Sequence, residues 1–211
     1  MYQRVLLFYN SYIKHYLFPQ VEESNEGYQN HHKKKIQIAG QAIQNTALPL
    51  DIRVQGIHDI GLLAYTGSYG VAMCVAEYMP TIVDFLRSPD ISDDQRIRVL
   101  ESLTGMCYMH LSNQHQACIL GLYHLLPELM EPASPLSTRA KLWSCYLLNT
   151  LCYNNVPAIR KLMSSQSLRG SLEVLEGEDW FGWPKNHAQE LLCILGFWPA
   201  LMIKIPENKS S

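Results

Sequence analysis

Apolar residues recur at threes and fours along most of the chain, and nowhere do they alternate in twos for long. That spacing puts them on one stripe of an α-helix, so the pattern predicts an all-α chain without a sheet. The first segment shows it: Tyr2, Val5, Leu6, Phe8, Tyr9, Tyr12, Ile13, Tyr16 and Leu17 form one broad stripe. The polar stretch from Glu22 to Asn30, carrying Ser24, Asn25 and Gly27, reads as a loop.

A longer-range pattern lies over the helical one. Ile60-Gly61-Leu62-Leu63-Ala64-Tyr65 is echoed 43 residues on by Leu103-Thr104-Gly105-Met106-Cys107-Tyr108, and 45 further by Leu148-Asn149-Thr150-Leu151-Cys152-Tyr153. A degenerate fourth copy, Leu195-Gly196-Phe197, follows 47 after that. A helical stretch precedes each echo, and Arg53, Arg96 and Arg139 open three of these stretches at similar offsets. Between echoes two shorter helices recur. The first of each pair lies near Val71–Glu77, Gln114–Gly121 and Val156–Ser164; the second lies near Pro80–Arg87, Tyr123–Glu131 and Leu168–Glu176. Asp93 and Ser137 each directly precede a helical run and read as N-caps.

Three helices every 43–47 residues is a repeat length of the armadillo and HEAT class. One such unit has too little apolar surface for its own core, whereas stacked neighbours bury a continuous one. The residues themselves point the same way. Tyr78-Met79-Pro80-Thr81-Ile82-Val83-Asp84-Phe85-Leu86-Arg87-Ser88 resembles the second helix of an armadillo repeat, and Leu125-Leu126-Pro127-Glu128-Leu129-Met130 is a looser version. The echoed hexapeptides resemble the third-helix segment of that family. The chain thus resembles the short armadillo-like helical domain proteins over about residues 50–197. The resemblance implies a right-handed stack of about three repeats with extra N-terminal helices. The expected divisions are 1–49 (capping helices), 50–197 (repeats) and 198–211 (tail). In relatives that grip extended peptides, the third helix offers a Trp and an Asn to the concave groove. Here those positions hold His58, Glu101 and Tyr146, and Leu62, Gly105 and Thr150, so that mode of recognition is not carried over.

Composition narrows the function further. Hydrophobic residues make up 47% and charged residues 17%, which suits a packed domain. Formal net charge is −2, so no basic field draws the chain to nucleic acid or an anionic membrane. The single basic run, His31-His32-Lys33-Lys34-Lys35, reads as a solvated helix opening. Six cysteines sit among apolar residues with no Cys-x-x-Cys spacing, which fits an intracellular, cytoplasmic chain with reduced thiols. Cys145 and Cys152, on one helix, are about 10 Å apart, beyond disulfide reach.

No phosphate loop, nucleophile elbow or His-Glu-x-x-His motif occurs, so neither enzyme activity nor a cofactor is expected. Cys107, His110, His115 and Cys118 are the best zinc candidates, since zinc wants four N and S ligands at about 2.0–2.3 Å. Cys107 nevertheless fills the slot of Ala64 and Cys152, which is a packing slot. Cys118 and His124, six apart, lack an acidic partner for thiol catalysis. The sequence therefore leads to a non-catalytic module for a protein partner. Its expected docking face carries His58, Arg98, Glu101 and Tyr146. The aromatic loop Trp180-Phe181-Gly182-Trp183-Pro184 would either anchor the partner or fold back to cap the last repeat. The alternative is a membrane-associated protein anchored by residues 191–205. Its uncharged run from Leu191 to Ile203 is thirteen residues long, short of the roughly 20 needed to span a bilayer.

Overall fold

The computed structural model describes residues 25–153 and 155–197, and every regular element among them is helical. In chain order these are α1 (Asn25–Gln44), α2 (Leu50–Thr66), α3 (Tyr69–Val75), a 3₁₀ turn (Ala76–Tyr78), α4 (Met79–Arg87), α5 (Asp93–Cys107) and α6 (Leu111–Ile119). Then come α7 (Leu122–Met130), α8 (Thr138–Cys152), α9 (Val156–Leu162), α10 (Gln166–Glu176) and α11 (His187–Ile194). Three triplets follow α1 and α2, each ending on an echoed segment: α3–α4–α5, α6–α7–α8 and α9–α10–α11.

Packing recurs with the sequence period. The third helices lie side by side in succession: α2 against α5, α5 against α8, and α8 against α11. α3 packs on α6 in the same way, and α7 on α10, while α1 closes the first end against α2 and α3. One continuous core runs from Ile36 through Leu100, Leu103 and Leu148 to Phe197, so no triplet has a core of its own.

Polar rungs repeat with the same register. Gln95 Nε2 donates to Asp51 Oδ1 at 2.6 Å, tying the start of α5 to that of α2. One repeat later, Ser137 donates to Asp93 through its backbone N–H and its hydroxyl, tying α8 to α5. Both contacts join residues 44 positions apart, close to the period of the sequence echo.

Two expectations about helix starts divide here. Ser137 caps α8, accepting from Ala140 N at 3.2 Å. Asp93 is not a cap: α5 is capped by Ser92 in a reciprocal capping box with Gln95. Ser92 holds the first amides, so the Asp93 carboxylate is free to reach Ser137. That double duty makes Ser137→Ala costly. It should destabilise the chain by about 1–2 kcal/mol in urea unfolding, with Ser137→Thr retaining most of the stability.

The N-terminal expectations need larger corrections. Residues 25–30 are not loop but the first turns of α1. Burial of Ile36, Ala39 and Ile43 anchors that helix, which then propagates back through polar sequence and tolerates Gly27 at a cost of about 1 kcal/mol. The basic run therefore lies inside α1. Lys33 and Lys34 are exposed, but His32 is buried, which pushes its pKa down. The apolar stripe from Tyr2 to Leu17, positions 22–24 of the expected loop and the tail 198–211 lie outside the described residues. Of the suspected membrane anchor, Leu191, Leu192, Leu195 and Phe197 are core residues, and α11 ends at Ile194. No helix among the described residues is long and apolar enough to cross a membrane.

Candidate functional site

Each echo ends on a tyrosine, and the fold puts all three on the surface. In each hexapeptide the residue before it (Ala64, Cys107, Cys152) points into the core. The next position, about 100° further round the helix, is thereby turned outward. Tyr65, Tyr108 and Tyr153 are 55%, 40% and 62% exposed. The rings of Tyr65 and Tyr108 meet at 5.4 Å, so the row is continuous across the first repeat boundary.

Beyond Tyr108 the row opens into a groove of about 830 Å³ where the ends of α5 and α8 face α11. Tyr108, Met109, Tyr146 and Tyr153 form apolar walls, with Ile194 opposite. Burial pushes the Tyr146 phenol up to about 12, and the nearby Tyr108, Tyr65 and Glu190 push in the same direction. Met109 sits in the left-handed region, with φ 59°, in the turn after α5, and its side chain is 74% exposed. A large apolar side chain at a groove rim is the kind of surface that partners cover.

A polar network crosses the groove floor. Asn149 Nδ2 donates to Glu190 Oε2 at 2.8 Å, and His187 Nδ1 lies 2.9 Å from the same oxygen. Lys185 Nζ pairs with the other carboxylate oxygen at 2.8 Å. These donors, from Lys185, His187 and Asn149, outweigh desolvation and hold the Glu190 carboxyl below its ordinary range. The His187 ring stacks on Tyr146 with centroids 4.4 Å apart. Its burial pushes the imidazole pKa down, with Glu190 opposing.

The expected docking residues fall into three places. His58, Arg98 and Glu101 come together between α2 and α5, with Arg98 and Glu101 exposed and His58 half-buried. There Asp59, 3.9 Å from His58 Nδ1, and Glu101 push the imidazole pKa up, and Arg98 opposes them. Tyr146 stands apart from that trio, in the groove wall. Trp180 and Trp183 fold back onto the last two triplets: Trp180 Nε1 donates to Leu175 O of α10 at 2.8 Å, and Trp183 meets Trp143 of α8 edge-on at 4.8 Å. Phe181 alone of the loop's three aromatics projects outward, 82% exposed.

Other chemistry weighed from the sequence is dispersed. Cys107 is sealed in the core, and burial pushes its thiol up to about 12. His115 is exposed and Cys118 half-buried. Among the described residues no group of three or more His, Cys, Asp or Glu could hold a metal ion. Cys118 and His124 fall on different helices, α6 and α7.

The sequence model of the armadillo-like helical domain-containing protein 2 family matches residues 1–199. The chain belongs to that family. No curated protein matches it. The match extends through the segment before α1. Sequence reasoning found the echo that builds the groove but missed Tyr108, Tyr153, His187 and Glu190 as its lining. The signal was present, since a tyrosine ends each echo. It reads as packing until the fold shows which side of the helix is covered.

Proposed function

We propose that this armadillo-like helical chain is a non-catalytic protein-binding module, and that its partner seats in the groove between the ends of α5, α8 and α11. One observation carries the reading: Tyr108 and Tyr153 occupy equivalent repeat positions and stand exposed at the same groove. Exposed tyrosines around a concave apolar surface supply large contact area at small entropic cost, and such aromatics dominate measured interface energies. The polar floor offers orientation, through amides and a carboxylate already fixed by their neighbours. The thiols support the non-catalytic half. Cys107 and Cys152 are both pushed up to about 12 by burial, the opposite of what a nucleophilic thiol needs.

The test starts from a partner purified after proximity labelling of the full chain. Its affinity, measured by calorimetry, should fall at least about thirtyfold in the Tyr108→Ala/Tyr153→Ala double variant. A His58→Ala/Glu101→Ala variant should stay within about threefold, because both lie outside the groove lining and charges that water reaches contribute little. Unchanged affinity in the tyrosine variant would remove the groove as the binding site.

A further inference from the structure

The loop between α10 and α11 closes over one histidine. His187 is only 5% exposed, boxed by Tyr146 stacked on its face and by Trp180 and Trp183 meeting it edge-on, each at 5.8 Å. Its Nδ1 lies 2.9 Å from Glu190 Oε2 and 3.0 Å from Asn149 Nδ2; because a carboxylate only accepts and Asn149 already donates to it, we place the proton of the neutral ring on Nδ1, facing Glu190. Nε2 is sealed from solvent and has no protein partner. A lone pair tolerates that position. An N–H bond of an imidazolium does not, because its donor would have neither water nor an acceptor.

We propose that the aromatic cap, residues 177–186, is an acid-released latch that closes on the neutral ring of His187. The charged and titratable groups facing the ring are few. Glu190 comes from its own helix, Lys185 from the cap, and Tyr146 from α8, while Asn149 of α8 adds a neutral amide. Glu190 favours the protonated ring; burial and Lys185 oppose it, and burial is the largest of the three. Protonation of the closed form therefore places a second N–H bond in a sealed site with no acceptor for it. Opening returns the ring to water, where its ordinary pKa of about 6.5 applies.

The sign follows from linkage. A histidine whose pKa is lower in the closed than in the open form makes opening take up a proton. Closure is most favoured above about pH 6.5, and the open fraction grows about tenfold per pH unit below it until the closed form itself titrates. Cap release would carry Pro184 and Lys185 out of the groove wall that they help to form. The latch stands on the cap's own geometry, so the tyrosine test of partner binding can fail without touching it.

The experiment is amide hydrogen exchange over residues 177–186 of the full chain from pH 7.5 to 5.0, corrected for intrinsic rates, together with ring NMR of His187. In the wild type, cap exchange should rise about tenfold per unit below pH 6.5, while α5 and α8 stay protected. In His187→Phe, which keeps a ring against Tyr146, the acid step should vanish. In Glu190→Gln, which removes the group favouring the imidazolium in the closed form, the rise should begin at the same pH and continue to lower pH, giving a larger step. Cap protection unchanged down to pH 5.0, or the same step surviving in His187→Phe, overturns the latch. If His187→Phe does not fold, the wild-type ring decides alone: a His187 midpoint at or above 6.5 overturns the proposal, and one below it supports it.

Discussion

Gly61→Ala will destabilise this chain by about 2–3 kcal/mol, whereas Gly170→Ala, the same change in another helix, will stabilise it by about 0.5–1 kcal/mol. Both glycines lie inside helices, so alanine gains about 1 kcal/mol of helix propensity at each. What differs is the neighbour. A Cβ on Gly61 would stand 2.4 Å from Ser102 Cα and 2.9 Å from its carbonyl oxygen. That is backbone of α5, which cannot swing aside as a side chain can. Gly105 answers from the other side, since a Cβ there would meet Gly61 O at 2.7 Å. Helices α2 and α5 thus touch backbone to backbone, and a methyl group must push the first stacking interface apart. Gly170 on α10 has nothing within 4 Å of its ideal Cβ. Urea unfolding of the two variants beside wild type measures both. If Gly61→Ala were as stable as wild type, the close approach of α2 and α5 would be wrong.

Arg96→Ala should cost about 2–4 kcal/mol, an effect of similar size with a different cause. The guanidinium is 9% exposed, and it donates from Nη1 to Leu86 O and from Nη2 to Ser88 O at 2.9 Å. Those carbonyls close α4, where no intrahelical N–H remains to meet them and the helix dipole favours a cation. Burial pushes the Arg96 pKa down, with Asp93 opposing, but arginine stays charged at neutral pH. Removing it strands two buried acceptors. Arg96→Met, which keeps the stem without the donors, should lose nearly as much, because the hydrogen bonds and not the packing are at stake. Arg53 does the same one repeat earlier: its Nε donates to Ile43 O at 2.9 Å near the end of α1, and its guanidinium lies over Phe85. In the next repeat the job falls to Lys141, whose Nζ is 3.4 Å from Pro132 O at the surface. Lys141→Ala should therefore stay within about 0.5 kcal/mol of wild type. A comparable loss for Lys141→Ala and Arg96→Ala would refute burial as the deciding factor.

That comparison shows how far the sequence could be read. Arg53, Arg96 and Arg139 share a spacing of 43, and the pattern of cationic residues near helix starts is real. The fold keeps Arg53 and Arg96 in register but replaces Arg139, which is exposed, with Lys141 two positions on. The second repeat is longer by that much, which the echo spacing of 45 against 43 records and the equal arginine spacing hides. Asp93 failed as a cap for a related reason. Ser92 and Asp93 are both good capping residues, and the reciprocal bond from Gln95 chose between them. The loop expected at residues 25–30 is helix because burial further along α1 outweighs local polarity.

The sequence by itself determined the helical class, the period of the unit and the residues that each unit buries. Those depend on hydrophobic spacing, which the chain carries locally and which no tertiary contact needs to reveal. Only the tertiary structure decided which tyrosines stay uncovered, where Glu190 meets Asn149, and that Trp183 closes over His187. The first of these depends on which side of a helix its neighbour covers. The second joins residues 41 positions apart, and the third a loop to the helix that follows it, through packing that no local pattern encodes.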